Sequence, residues 1–386
     1  MPLGPRLQQE LGLTARQFAQ LVSAYTFSAG ISGFLSAFFI DRFDRKSALL
    51  FLLTGFTVGT GWCGVAHGFD DLMLARIMAG MFGGVMSSVV TSMVADVFPP
   101  QERGKAIGLL GATFPVASVL GLPLALWLVG MQGWQAPFFW LVGLATIAFV
   151  LAALFLPSMG GHRVVGQRAE RPLAMLQRTF TNTPMLLGLG LMFGQVLGHF
   201  TLVPLLSTFL IRNVGFLEPE LAFVYIVGGL LQVGVNPLAG VLADKYGKAS
   251  VYIVFCATSV LPIVLLSNLG HVPMWQALSV TGMFFILSGT RFIPGMALLN
   301  DQVDSAHRGS YMGLVSCVQH ISSGMASYIA GWLVLQPAGP TSPLQGYENI
   351  GYFCLVFTFI AAYFASRLRK PGVKHVPVPV VYEDPV

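Results

Sequence analysis

Eleven apolar runs of bilayer-crossing length occupy most of this chain, and they leave its backbone few ways to be satisfied other than as helices. In order they cover residues 17–40, 47–67, 72–95, 105–129, 135–156, 184–211, 220–242, 249–269, 274–298, 309–335 and 349–366. A hydrocarbon core of ~30 Å takes about 20 residues of α-helix to cross. Inside it every N–H and C=O must find a partner within the protein. The expected fold class is therefore all-α, a polytopic membrane protein with 11 transmembrane helices in this chain.

Two of the polar hinges between these runs occur twice. Residues 96–108 (DVFPPQERGKAIG) return as 301–313 (DQVDSAHRGSYMG), with Asp96 and Asp301 each followed seven residues on by Arg103 and Arg308. Gly104 and Gly309 come next, and Gly108 and Gly313 four residues later. At nearly the same offset, the hinge with Asp41, Arg42, Arg45 and Lys46 matches the one with Asp244, Lys245 and Lys248. Two signals repeated in one order imply two related halves, a mark of many secondary transporters. The expected organisation is an N-terminal bundle over 1–156, a polar linker over 157–183, a C-terminal six-helix bundle over 184–370 and a disordered tail over 371–386. The two bundles would be pseudo-symmetric.

Composition supports a membrane setting. The 386 residues are 55% hydrophobic and only 10% charged, against about 25% charged in soluble domains. The net charge of +5 does not point to nucleic acid, because the basic residues sit in short loops. Of the 21 Lys and Arg residues, Arg6, Arg16 and Arg212 fall on one side, Arg76 and Arg291 lie inside runs, and the remaining sixteen share the other side. By the positive-inside rule that side, and with it the C-terminus, is cytoplasmic; the expected setting is a bacterial inner (plasma) membrane.

The halves hold five and six runs. Aligning the hinges pairs 17–40 with 220–242 and leaves nothing to match 184–211, so residues 1–15 (MPLGPRLQQELGLTA) read as an outward loop that should follow a helix. The expectation is a first helix missing through a start placed upstream; the other reading is a shortened form. The same residues lack the basic and apolar regions of a signal peptide. Cys63, Cys256, Cys317 and Cys354 each fall within an apolar run without metal spacing, and read as small buried hydrophobes.

The hinges resemble those of the major facilitator superfamily, and more narrowly its twelve-helix drug:proton antiporter-like efflux branch. The family's loop between helices two and three reads roughly G-x-L-A-D-R-x-G-R-R/K. Asp41, Arg42, Arg45 and Lys46 fit it while Ala37 and Asp44 replace the two glycines; the second copy keeps Gly240, Asp244, Lys245, Gly247 and Lys248. Arg76 with Gly80, Gly83 and Gly84 matches the family's helix-four pattern, and Gly108, Gly111, Gly121, Leu122 and Pro123 approximate its helix-five pattern. The resemblance covers about residues 16–366. It implies two bundles about a central cavity, with Arg76 in proton or substrate coupling.

The residues carry their own logic. Hinge carboxylates can accept charge-assisted hydrogen bonds from Arg or cap a helix. Asp41, Arg42, Arg45, Lys46, Asp244, Lys245, Lys248, Asp96, Arg103, Asp301 and Arg308 are therefore candidate gating residues, the other reading being charges that only orient the helices. Within the runs, Arg76, Arg291, Gln195, His199, Asn236 and Gln319 are candidates for substrate or proton coupling, since polar groups at membrane depth are costly and face protein or a wet cavity. Interhelical hydrogen bonding is the alternative for each. Gln195 and His199 are four apart and share a helix face. His199 and His320 could carry protons, and no Asp or Glu falls mid-run.

No ATP-binding loop, metal-ligand spacing or nucleophile elbow is present, so no enzyme activity, cofactor or metal is expected. The reading is a monomeric secondary transporter in a lipid bilayer, exporting a small organic molecule of drug or sugar type by proton antiport and alternating access. Uptake of a small organic anion held by Arg76 or Arg291 is one alternative. A truncated, non-transporting membrane protein is the other.

Overall fold

A computed structural model describes residues 3–98, 102, 106, 110, 113, 116–159, 172–304, 308–336, 339 and 341–368. They are almost wholly helical. The first half comprises α1 (Gly4–Glu10), α2 (Ala15–Ser36), α3 (Arg45–Val65), α4 (Phe69–Val97), α5 (Leu122–Gln132) and α6 (Ala136–Phe155). Helix α7 (Pro172–Thr181) lies between the halves. The second half comprises α8 (Thr183–Phe209), α9 (Leu221–Tyr246), α10 (Lys248–Ser267), α11 (Met274–Phe284), α12 (Phe292–Asn300), α13 (Arg308–Leu333) and α14 (Tyr347–Arg367).

Local sequence sets where these helices start. Thr14 and Gln17 form a reciprocal capping box at α2: the Gln17 N–H donates to Thr14 Oγ1 at 3.2 Å and the Thr14 N–H to Gln17 Oε1 at 2.9 Å. Asp44 caps α3 by accepting from the Ser47 N–H at 3.0 Å, and also accepts from the Ser158 hydroxyl at 3.0 Å. Slight burial would raise the Asp44 carboxyl, but these bonds and others from the Met159 and Lys46 N–H groups outweigh it and hold the carboxyl below its usual value. Asn182 caps α8 by accepting from the Met185 N–H at 3.2 Å. Gly247 makes the turn from α9 to α10 at φ +90°, where a side chain would be strained.

Eight helical stretches among the described residues are long and apolar enough to cross a membrane, and Val119–Gln132 is a shorter apolar one. Of the remaining expected runs, 17–40 and 309–335 form the full-length helices α2 and α13, while 105–129 lies only partly within the described residues. The α11–α12 run is broken by a π-helical segment, Phe285–Gly289, and another π segment, Leu210–Val214, extends α8. Large apolar side chains such as Phe51, Leu154, Phe155 and Trp275 lie exposed on the outside, as a lipid-facing surface requires. Residues 1–15 differ from the loop expected of them: Gly4–Glu10 is a helix that packs on α8 and α2, because Leu7 and Gln8 bury against the second half.

In the first half α2 packs on α4, and α3 on α4 and α6; in the second α8 packs on α14 and α13, and α10 on α14. The halves meet mainly along α2 and α13, and also where α5 meets α9. Small residues permit the closest crossings. A Cβ on Gly324 would come within 2.9 Å of Phe27, and one on Gly331 within 2.8 Å of Ala19.

The core is divided in an informative way. At the end away from the charged hinges, one continuous apolar cluster joins both halves, running through Leu7, Phe18, Leu72, Leu205, Phe209, Ala330 and Ile350. At the hinge end there are two separate clusters. One, about Leu52, Val85 and Val89, belongs to the first half; the other, about Met192, Tyr252 and Tyr311, belongs to the second.

Candidate functional site

Where the core divides, a cavity of about 370 Å³ opens between the halves. Its walls are the hinge-end parts of α2, α4 and α13, with Met175 and Leu176 of α7 on one side. The lining is small and hydroxylic: Ser36, Ser87, Ser88, Ser92, Ser310 and Ser316 all face it. The Ser36 hydroxyl donates to the Gly33 carbonyl at 2.8 Å and the Ser88 hydroxyl to that of Val85 at 2.7 Å, which leaves their oxygen lone pairs free to accept. Phe34, Ile40, Val89 and Leu314 supply apolar surface. Arg45 is the only charged side chain, and His320 the only imidazole, among the described lining residues. The site thus combines apolar walls with a few polar groups, as small-molecule pockets of this size do.

The opposite end is closed by contacts that cross from one half to the other. Gln8 Nε2 donates to Thr208 Oγ1 at 3.0 Å, with both side chains fully buried. The Ala15 N–H donates to Gln336 Oε1 at 2.7 Å, and the Arg16 guanidinium stacks 3.3 Å from the centroid of the Trp332 ring. Arg6 pairs with Glu218 at 3.6 Å. Each of these is worth roughly 0–2 kcal/mol, the partly exposed ion pair least, so the seal holds in sum yet is able to part.

The candidate residues fall in several places. Arg45 lines the cavity. Lys248 and Asp301 meet in a two-pronged ion pair of 2.6 and 2.7 Å. The pair ties the hinge ends of α10 and α12 within the second half and does not bridge the halves; it is partly exposed, so it contributes roughly 0–1 kcal/mol. Lys46 donates to the Ala153 carbonyl at 2.8 Å. Lys245 lies 5.2 Å from its neighbour's ring centroid at Tyr246. Arg42, Asp244 and Arg308 are exposed at the hinge end. The side chains of Asp41 and Asp96, and the whole of Arg103, lie outside the described residues.

Arg76 sits over the Tyr25 ring at 4.6 Å, joining α4 to α2. Gln319 Nε2 contacts Met192 Sδ at 3.4 Å between α13 and α8. Asn236 is half-buried on α9 beside Pro237, its Oδ1 without a partner. His199 is buried, bonded through Nδ1 to Ser288 Oγ at 3.0 Å, stacked on Phe284 at 5.2 Å and edge-on to Phe292 at 5.8 Å. Gln195 and Arg291 are fully buried inside the second half and line no described cavity.

The serine-lined wall and the far seal were not singled out from the residues alone. For the first, Ser88 and Ser92, and likewise Ser316 and His320, are four apart and share a helix face, but other polar residues on the same helices leave that face unmarked. No signal existed for the second, because Gln8 and Thr208 are 200 residues apart.

Comparison with known proteins bears on this arrangement. The family model described as Major Facilitator Superfamily matches twice, over residues 1–209 and 188–381, once for each half. The chain is 28% identical over 255 residues to the inner membrane transport protein YdhP of Escherichia coli K12, covering 64% of this chain and 61% of YdhP. It is 23% identical over 371 residues to the uncharacterised MFS-type transporter YwfA of Bacillus subtilis, covering 95% and 87%. A third relative, the uncharacterised MFS-type transporter YhcA of B. subtilis, is 31% identical over 155 residues, 40% of this chain and 29% of YhcA. The chain thus spans less than two thirds of the length of several curated relatives, YhcA and YdhP among them. Among solved structures, a bacterial homologue of the human lysosomal transporter Spinster, inward-facing and unoccupied, superposes with a TM-score of 0.73 at 17% identity, over 95% of this chain and 92% of that one. The nucleoside transporter NupG gives 0.66 at 13% identity, over 95% and 93%.

Proposed function

The chain belongs to the major facilitator superfamily, and from that premise we propose that it exports a small organic molecule by proton antiport, rocking its two halves about the cavity between them. The observation that supports this most is the divided core: one apolar cluster across both halves at the far end, two clusters and a cavity at the hinge end. Rocking one bundle against the other would exchange these two arrangements. With the basic hinges in the cytoplasm, the cavity opens inward and the Gln8–Thr208 side is the outer gate. The Lys248–Asp301 pair then acts as a brace that lets the second half move as one body.

A drug- or sugar-sized cargo suits the lining, whose apolar walls pack a ring or chain while serine oxygens accept its O–H or N–H donors. For the proton we assign His320, which faces the cavity, in preference to His199, whose imidazole is fixed by Ser288 and two phenylalanines. The test uses everted membrane vesicles holding the overproduced protein, acidified inside, with a panel of labelled sugars and amphipathic drugs. The expected result is accumulation of at least one solute, with protons leaving as it enters. His320→Ala should keep downhill exchange of that solute and lose more than tenfold of the pH-driven accumulation. Accumulation only under the opposite gradient, or an undiminished pH response in His320→Ala, would overturn the reading.

A further inference from the structure

Arg291 is fully buried at the break between α11 and α12. Its Nη1 donates to Thr358 Oγ1 on α14 at 3.0 Å, while Nε and Nη2 have no partner. Those two nitrogens form the side-on edge of the guanidinium, two parallel donors spaced to receive both oxygens of a carboxylate-like anion. A guanidinium does not shed its proton in a protein, so a positive charge stands here with only neutral groups, the Thr358 hydroxyl and the Cys256 thiol, beside it. The described residues of α8, α10, α11 and α12 contain no Asp or Glu. On α14 the one carboxylate, Glu348, is exposed at the far end, ten residues and roughly 15 Å from Thr358.

Other polar atoms around the guanidinium are also unfilled. Both side-chain amide atoms of Gln195 lack partners, as does Thr290 Oγ1. The Tyr252 hydroxyl lies beside the Cys256 thiol and within electrostatic reach of Arg291, and makes no hydrogen bond of ordinary geometry. Of these, Gln195 and Tyr252 pack against the helix face that carries Arg291. Gly295, one turn beyond Arg291, is so close to α8 and α10 that a Cβ there would lie 2.8 Å from Gln195 Oε1 and 3.2 Å from the Tyr252 ring. Buried polar atoms left empty in such number are rare in folded proteins, and an uncompensated charge at this depth is rarer.

We propose that Arg291, Tyr252 and Gln195 form a binding site inside the second half, separate from the central cavity, for a small anion with a two-oxygen edge. The guanidinium edge holds both oxygens, and the phenol O–H and the Gln195 N–H groups donate from the sides. Binding neutralises the buried charge and ties α8, α10 and α12 together, so the anion acts on the stability of the half and not on the solute path. The same chemistry fits a free inorganic oxyanion and the carboxylate end of a larger molecule.

Thermal unfolding of the purified full chain in detergent tests this at constant ionic strength, with formate and nitrate as free anions and glucuronate as a bulky carboxylate, each against chloride, which has no two-oxygen edge, as the balancing salt. A saturable rise in Tm with formate or nitrate alone assigns the site to a free ion; a rise with glucuronate as well assigns it to a carboxylate-bearing molecule. Either supports the proposal if the midpoint weakens at least tenfold in Arg291→Lys, which keeps the charge and loses the fork, and several-fold in Tyr252→Phe. No saturable rise in the wild type, or unchanged midpoints in both variants, overturns it. Because the readout is Tm, the result stands apart from whether any solute is exported.

Discussion

Joining Gly4 to Thr208 through a pair of introduced cysteines is expected to stop transport, and a reductant to restore it. A Cβ on Gly4 would lie 3.1 Å from Thr208 Oγ1, which brings the two Cβ atoms near the 3.5–4.5 Å that a disulfide needs. The link would fix α1 to α8 across the far-end seal, in place of the Gln8–Thr208 hydrogen bond. The native contacts there are each worth roughly 0–2 kcal/mol and can part during a cycle, whereas a covalent bond cannot. A background without Cys63, Cys256, Cys317 and Cys354, all buried and unpaired, leaves the new pair as the only reactive thiols. The expected loss is more than tenfold in the oxidised protein, with recovery after reduction. Full transport with the bond demonstrably formed would remove this seal from the cycle.

The second large effect is on folding. Gly84→Ala is expected to remove most of the folded protein. Its new methyl would run into the Ala29 backbone, lying 2.7 Å from the Ala29 carbonyl carbon and closer still to its oxygen and Cα. Side-chain overpacking commonly costs about 1–3 kcal/mol. Here the obstacle is backbone of α2, which cannot rotate away, so the cost should reach or exceed the top of that range, against a total stability of about 5–15 kcal/mol. Gly80 is placed similarly, against Tyr25 and Ser28. Gly33→Ala is the control: its methyl would meet only the Gly84 carbonyl at 3.7 Å and Cys317 Sγ at 4.0 Å, ordinary contacts. The measure is the yield of monodisperse protein after detergent extraction. Equal yields of the Gly84 and Gly33 variants would contradict the close α2–α4 crossing.

These two cases also mark what could be read from the residues. The Gly80-Gly83-Gly84 pattern was visible in the sequence, and its physical meaning is a helix crossing; Arg76 beside it stacks on Tyr25 across that same crossing. Run lengths were enough for an all-α, membrane-spanning fold, because they depend only on local composition. The faces of the helices were not legible. In a membrane the lipid-facing and protein-facing sides of a helix are both apolar, so periodicity does not say that Gln195 and Arg291 turn into the second half while Ser88 and His320 face the cavity. Pairing of hinge charges was equally out of reach: Lys248 and Asp301 stood in different hinges, 53 residues apart, and only packing of α10 on α12 brings them together. Helix α1 was missed because its apolar stretch is short and gains its stability from α8 and α2, which only the fold supplies.

The two ends of this molecule are expected to open in alternation. Spin labels on exposed positions can follow both ends by pulsed electron–electron distance measurement, at Arg42 and Tyr246 for the hinge end and at His67 and His271 for the far end. When a transported solute or a change of pH shifts the conformation, the far-end distance is expected to lengthen as the hinge-end distance shortens. Distances that moved in the same direction at both ends, or that stayed fixed while solute crossed the membrane, would contradict it.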